Sequence, residues 1–336
     1  MMSASNSNDL HRSEIDAYGF KHGEDFDYDS YEEFMSRYLS ILARRASKWN
    51  KLLSGSGSVK RSSKVKRYVR KGIPNEHRGE MWMCVSKAKK LMDSNEGLYQ
   101  RLLGQELDPS IQSEIDIDLH RTFPENIYFC NDATSGKQDS LRNVLKAFAN
   151  HNPEIGYCQG LNYVVAMLLI VLKDEEKSFF LLEKLTKQIL VGYYSKNLRG
   201  LNVDQMVLGE LVKLRNPNIA SHMENKMAPW SLVCMKWFVC LYLDILPIET
   251  TLRIWDCLFY EGPKILFRVA LTLVLQNEES ILTARDTSQI VERFRKVKSQ
   301  PLNMDCHTFM QKVFLDSQPL KMATIDKLRS ECEQNL

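Results

Sequence analysis

Long apolar runs are missing from this 336-residue sequence. The longest, Tyr163 to Leu172, falls well short of the roughly 20 residues that a bilayer-spanning helix needs. It reads instead as a buried helix. No two of the eight cysteines form a CxxC pair, and none stands beside histidines at zinc-binding spacing. They read as reduced thiols packed as small hydrophobes. The polar stretch Met1 to Asp9 carries no apolar leader core, so the expected location is cytoplasmic, with peripheral association at endomembranes as its extension. A net charge of +3 is small for this length and gives no global case for nucleic-acid binding, which normally shows a concentrated basic face.

Signatures of stand-alone catalysis are missing as well. There is no GxxxxGK[ST] phosphate loop, no GxGxxG, no HExxH and no GxSxG elbow. Cys306 and His307 are neighbours in sequence, but a cysteine nucleophile needs its base in space rather than in sequence. Strand alternation and a βαβ rhythm are absent too, which leaves an all-α fold as the expectation.

What is present is a succession of helical stripes. A short N-terminal helix is expected over about 31–53, and residues before about 25 read as weakly ordered. Ser54-Gly55-Ser56-Gly57-Ser58 is flexible by composition and runs into a dense basic stretch, Lys60 to Lys71. Together they read as a flexible basic linker over 54–71. The run is either a solvated approach to the main domain or a patch for an acidic partner or an anionic membrane. The expected organisation is an N-terminal segment 1–71, one large multi-helix domain 72–275, and C-terminal helices 276–336 packed on it.

Two stretches stand apart. Asp108-Pro109 is a helix start, and Ile111, Ile115 and Leu119 follow as one apolar stripe. Asp118 lies at the edge of that stripe, and Arg121, three residues on, is within its reach near the helix end forced by Phe123-Pro124. Further on, Gly156-Tyr157-Cys158-Gln159-Gly160 opens the most apolar helix of the chain, which puts Gln159 at a helix N-terminus. Taken singly, Arg121 would be a surface salt bridge and Gln159 a solvated cap.

Taken in order, several strings resemble the TBC domain, the catalytic module of GTPase-activating proteins for Rab-family GTPases. They are Gly72-Ile73-Pro74, Arg78-Gly79-Glu80-Met81-Trp82, the Ile115/Asp118/Arg121 spacing, Tyr157-Cys158-Gln159-Gly160, Ile245-Leu246-Pro247 and Arg253-Ile254-Trp255-Asp256. The resemblance implies an activator that completes another protein's active site and is not an enzyme alone. Arg121 is then the arginine finger and Gln159 the glutamine supplied in trans. The partner is a GTP-bound Rab, which brings GTP and Mg2+, so no cofactor is assigned to this chain. Asp118 would support Arg121, and Gly160 would let the backbone approach the partner. Tyr157 fits either packing or partner contact. Arg78 and Asp256 are candidates for a scaffold pair beside the site, while Trp82 and Trp255 read as core. The competing readings are a non-catalytic Rab-binding module and a membrane-peripheral adaptor using residues 60–71.

Overall fold

Apolar spacings of three and four residues, cut by proline and aspartate at helix starts, divide the chain into eighteen α-helices among its described residues. The computed structural model describes residues 14–23, 27–54, 59–130, 136–243, 245–297, 305–315, 319–334 and 336. The chain opens with α1 (Tyr28–Leu53) and α2 (Ser63–Lys71). Next come α3 (Asn75–Val85), α4 (Ala88–Asp93), α5 (Leu98–Leu103) and α6 (Pro109–Leu119). The middle holds α7 (Gln138–His151), α8 (Leu161–Leu172) and α9 (Glu175–Lys184), which runs into a π-helical turn at Leu185–Ile189. Then follow α10 (Arg199–Arg215), α11 (Pro217–Asn225), α12 (Trp230–Val239), α13 (Ile248–Glu261) and α14 (Lys264–Gln276). The C-terminal part gives α15 (Glu278–Leu282), α16 (Thr287–Lys296), α17 (Cys306–Leu315) and α18 (Met322–Glu333). Among the described residues, extended pairing is limited to the isolated bridges Ile15–Lys21 and Phe20–Asn126.

Two helices organise the core. Helix α8 is apolar on nearly every side and lies against α3, α6, α7 and α9, as a helix without a polar face must. Helix α13 is buried from Thr250 to Tyr260 and is covered by α2, α3, α14 and α17. The C-terminal helices close onto the same body. On α18, Arg329 grips the buried Asp204 of α10 through Nε and Nη2, both at 2.7 Å. From α14, Arg268 donates to the Val313 carbonyl of α17.

The structure corrects the sequence reading twice near the N-terminus. Gly55 to Ser58 lie outside the described residues, but the basic stretch after them is not a loose linker. Ser62 caps α2, whose Val65 and Val69 are spaced i, i+4 and buried together against α13. Arg70 makes a fork-to-fork pair with Glu261 at 2.6 and 2.8 Å, Lys66 joins the same carboxylate at 3.2 Å, and Arg61 stacks on Tyr260. Part of the run's charge is therefore used within the chain.

The second correction concerns residues 14–23, which are ordered. Asp16 accepts from the Tyr18 and Phe20 amides and folds the stretch into a tight turn. The turn then clips onto the chain near residue 126: Lys21 N–H donates to the Glu125 carbonyl and Ile127 N–H to that of Gly19. Tyr18 and Phe20 are both buried.

Candidate functional site

Helix α6 starts where Asp108 accepts from Ser110 N–H at 2.8 Å with Pro109 in the first turn. Its stripe buries Ile115 and Leu119, and Asp118 is drawn in beside them with a side chain only 5% exposed. The helix stops at Leu119. Two residues after Arg121, Phe123 takes a left-handed conformation with φ 47°, which an aromatic side chain resists by about 1–3 kcal/mol. Packing offsets that strain: the Phe123 ring meets Phe20 at 5.0 Å and Tyr163 at 5.3 Å. Arg121 is left in the turn with a half-exposed side chain.

The start of α8 is built just as tightly. Gly160 has φ 109°, and a Cβ there would meet Val239 Cγ2 at 3.1 Å. Gly160 is buried against the end of α12, so the fold itself requires a glycine there. Gly160→Ala should therefore cost about 1–2 kcal/mol, from the left-handed backbone alone, read as a lower thermal unfolding midpoint. An unchanged midpoint would show that the backbone at 160 relaxes to a negative φ without cost. Beside it, Gln159 is exposed, and its side-chain amide has no hydrogen-bond partner among the described residues.

One carboxylate joins these two segments. Asp118 Oδ1 pairs with Arg121 Nη2 at 2.5 Å, and Oδ2 accepts from the Tyr157 hydroxyl at 2.5 Å. Burial and the Asp118 contact push the Tyr157 phenol far up, so it stays a donor. Four further bonds brace the two segments, two of them running between the segments and two within one. Asn162 Nδ2 donates to Thr122 Oγ1 at 2.8 Å, and that hydroxyl donates to the Asp118 carbonyl at 2.6 Å. Gly160 N–H donates to Asn162 Oδ1 at 3.0 Å. The Tyr163 hydroxyl donates to the Arg121 carbonyl at 3.2 Å. For Tyr157 the structure shows a bracing contact, its hydroxyl on Asp118. Thr122, Asn162 and Tyr163 escaped sequence reasoning, although Asn162 was signalled as a lone amide in an otherwise apolar run.

Between Tyr157 and Gln159 the Cys158 thiol is pushed up to about 11 by burial, so it is not a thiolate at neutral pH. Cys306 is likewise buried with its thiol raised by burial, and its Sγ bonds the Tyr38 hydroxyl. His307 meets Arg45 through Nδ1. No nucleophile–base pair is formed there.

Arg78 and Asp256 are indeed paired, deep in the core. Asp256 Oδ1 accepts from Arg78 Nε at 3.1 Å and Trp82 Nε1 at 2.8 Å, and Oδ2 accepts from Ile73 N–H at 3.0 Å. Burial alone would depress the Arg78 guanidinium, but Asp256, Tyr18 and Glu249 hold it well above its ordinary value. The Tyr18 hydroxyl accepts from Arg78 Nη1 at 2.7 Å and donates to Glu249 Oε2 at 2.5 Å. Its carbonyl accepts from Asn126 Nδ2 at 3.0 Å. Tyr18 thus ties the buried cluster to the loop that follows Arg121. Trp82 and Trp255 are both fully buried, with rings 5.8 Å apart.

The model of the Rab-GTPase-TBC domain matches residues 75–282. The chain belongs to that family. Relatives along most of its length include growth hormone-regulated TBC protein 1-A of Danio rerio, 50% identical over 96% of this chain and 90% of the relative. The Homo sapiens growth hormone-regulated TBC protein 1 is 49% identical over 96% of each. Among solved structures, the Chlamydomonas flagellar RabGAP TBC domain superposes with a TM-score of 0.75 at 29% identity, covering 89% of this chain and 99% of that one. All the site residues named above from Arg78 onward fall within the TBC match. The clip carrying Tyr18 and helices α1 and α2 precede it.

Proposed function

We propose that this TBC protein accelerates GTP hydrolysis by a Rab-family GTPase, with Arg121 and Gln159 inserted together into the partner's nucleotide site. The observation that carries this reading is the Asp118 carboxylate, which holds the Arg121 guanidinium and, through Tyr157, the segment leading to Gln159. Phosphoryl transfer spreads negative charge over the γ-phosphoryl oxygens, and an arginine placed there contributes roughly 10³–10⁵ in rate. Asp118 occupies one edge of the guanidinium and orients the rest outward. Gln159 brings one carbonyl acceptor for the attacking water and an amide donor for the phosphate or partner backbone. GTP and Mg2+ come with the GTP-bound Rab. Ile117, with 64% of its surface exposed on the turn of α6 just before Arg121, supplies an apolar contact beside the finger.

A panel of purified GTP-loaded Rabs incubated with the full chain tests the reading through phosphate release. At least one Rab should be accelerated, and Arg121→Ala and Gln159→Ala should each abolish most of that acceleration. GTP-dependent binding with no rate change on any Rab would instead make the chain a binding module. Acceleration that survives both substitutions would remove the two side chains from the mechanism.

A further inference from the structure

A second cationic feature lies away from the Arg121 turn, where α1, α2 and α17 meet. A cavity of about 270 Å³ opens there between Arg44, Arg45 and Lys48 of α1, Lys71 of α2, and His307 and Gln311 of α17. No carboxylate lines it. Among the described residues, none of the four cations has a salt-bridge partner, unlike Arg70 and Lys66 nearby, which share Glu261.

The cavity is graded from rim to floor. Arg44, Lys48, Lys71 and Gln311 are exposed at its mouth. Arg45 is 91% buried, since only 9% of its surface is exposed, and it is held by neutral groups only: Nη1 donates to the Tyr38 hydroxyl at 2.9 Å and Nη2 to His307 Nδ1 at 3.1 Å. Arg253 lies behind it on α13, fully buried, reaching the same Tyr38 hydroxyl at 3.4 Å. Its Nε has no hydrogen-bond partner. Two buried guanidiniums on one hydroxyl repel each other, and burial together with Arg253 pushes the Arg45 guanidinium down from its ordinary value. A buried cation without an anion is costly, so the arrangement is incomplete by itself.

We propose that this cavity is a phosphate-binding site, taking a phosphomonoester or diphosphate with Arg45 at the floor and Arg44, Lys48 and Lys71 around the rim. A phosphomonoester carries close to two negative charges at neutral pH and three acceptor oxygens, which suits guanidinium and ammonium donors converging from several sides. The volume lies just under the roughly 300–1,000 Å³ of pockets for drug-sized ligands, so the phosphoryl group is the part enclosed. The group can come from a soluble phosphate or from the headgroup of a phosphomonoester lipid. The site is independent of Arg121 and Gln159, so it stands or falls apart from the Rab reading.

Pyrophosphate titrated into the full chain in a calorimeter should bind saturably at one site and raise the thermal midpoint. Lys48→Glu with Lys71→Glu should weaken that binding by about tenfold or more. Lys60→Glu with Arg67→Glu, equally basic but off the cavity, should change it by no more than about twofold. Both pairs are exposed, so the fold survives. Vesicles separate the two sources. Sedimentation with phosphatidic acid exceeding that with phosphatidylserine at matched charge, and lost with the rim pair, assigns a lipid headgroup. Pyrophosphate binding without that preference assigns a soluble phosphate. The proposal is overturned if pyrophosphate does not saturate and phosphatidic acid is not preferred, or if both charge-reversed pairs lose binding alike.

Discussion

Arg121→Lys should lower the stimulated hydrolysis rate of a responsive Rab by about 10³-fold, close to the loss from Arg121→Ala. The two cations are not equivalent at this position. In the free protein one edge of the Arg121 guanidinium is taken by Asp118, through Nη2 at 2.5 Å. The planar fork leaves further N–H donors to face a phosphoryl group while that contact holds. A lysine is a single point charge on a flexible stem; if it pairs with Asp118 it is turned away from the phosphate, and if it reaches the phosphate it leaves Asp118 behind. Binding of the GTP-loaded partner should change far less than the rate, because the guanidinium's contribution is made chiefly to the charge that develops in the transition state. Single-turnover phosphate release alongside a binding titration reads the two separately. A lysine variant retaining a rate within about threefold of wild type would show that charge alone suffices and that the fork is irrelevant.

Much of the frame for this chemistry is legible in the sequence, and the reasons are local. Asp108-Pro109 and the Ile111/Ile115/Leu119 stripe announce α6, and Phe123-Pro124 announces its end, because capping and proline sterics act over a few residues. The run after Gly160 announces a central helix by having no polar face. The stitching between them was not legible beyond the Asp118–Arg121 spacing. Tyr157 to Asp118, Asn162 to Thr122 and Tyr163 to the Arg121 carbonyl join residues about 40 apart in sequence, where no periodicity operates. The same limit hid the Tyr18 clip, whose two aromatic anchors fall in a short turn without a stripe. Helix α2 was obscured for another reason. Its charge overwhelms a composition-based reading, although Val65 and Val69 already mark one buried face. The arginine-rich floor under α1 stayed hidden as well, since Arg45 looks like a surface residue until Tyr38, His307 and Arg253 close around it.

Asp256→Ala should destabilise the protein by about 3–5 kcal/mol, whereas Arg121→Ala should cost about 1 kcal/mol or less. Both substitutions break an arginine–aspartate pair, and burial decides the difference. Arg121 is half exposed and lies on the solvent side of Asp118, so its removal opens that carboxylate to water while the Tyr157 hydroxyl stays bound to it. Arg78 is 1% exposed, and without Asp256 its guanidinium retains only the Tyr18 hydroxyl and a long 3.4 Å contact with Glu249. Trp82 Nε1–H and Ile73 N–H lose their acceptor in the same step, leaving two more buried donors unmatched. Urea unfolding of the two variants beside wild type measures the contrast. Near-equal losses would mean that solvent enters the Arg78 cluster in the native state. The paired substitution Arg78→Met with Asp256→Leu should recover part of the loss by removing both charges, but not all of it. Trp82 Nε1–H and Ile73 N–H would still lack their acceptor, and Tyr18 and Glu249 would keep only each other. The shortfall between the double variant and wild type would measure how far Asp256 serves as a hub for α3 and the clip as well as a counter-ion for Arg78.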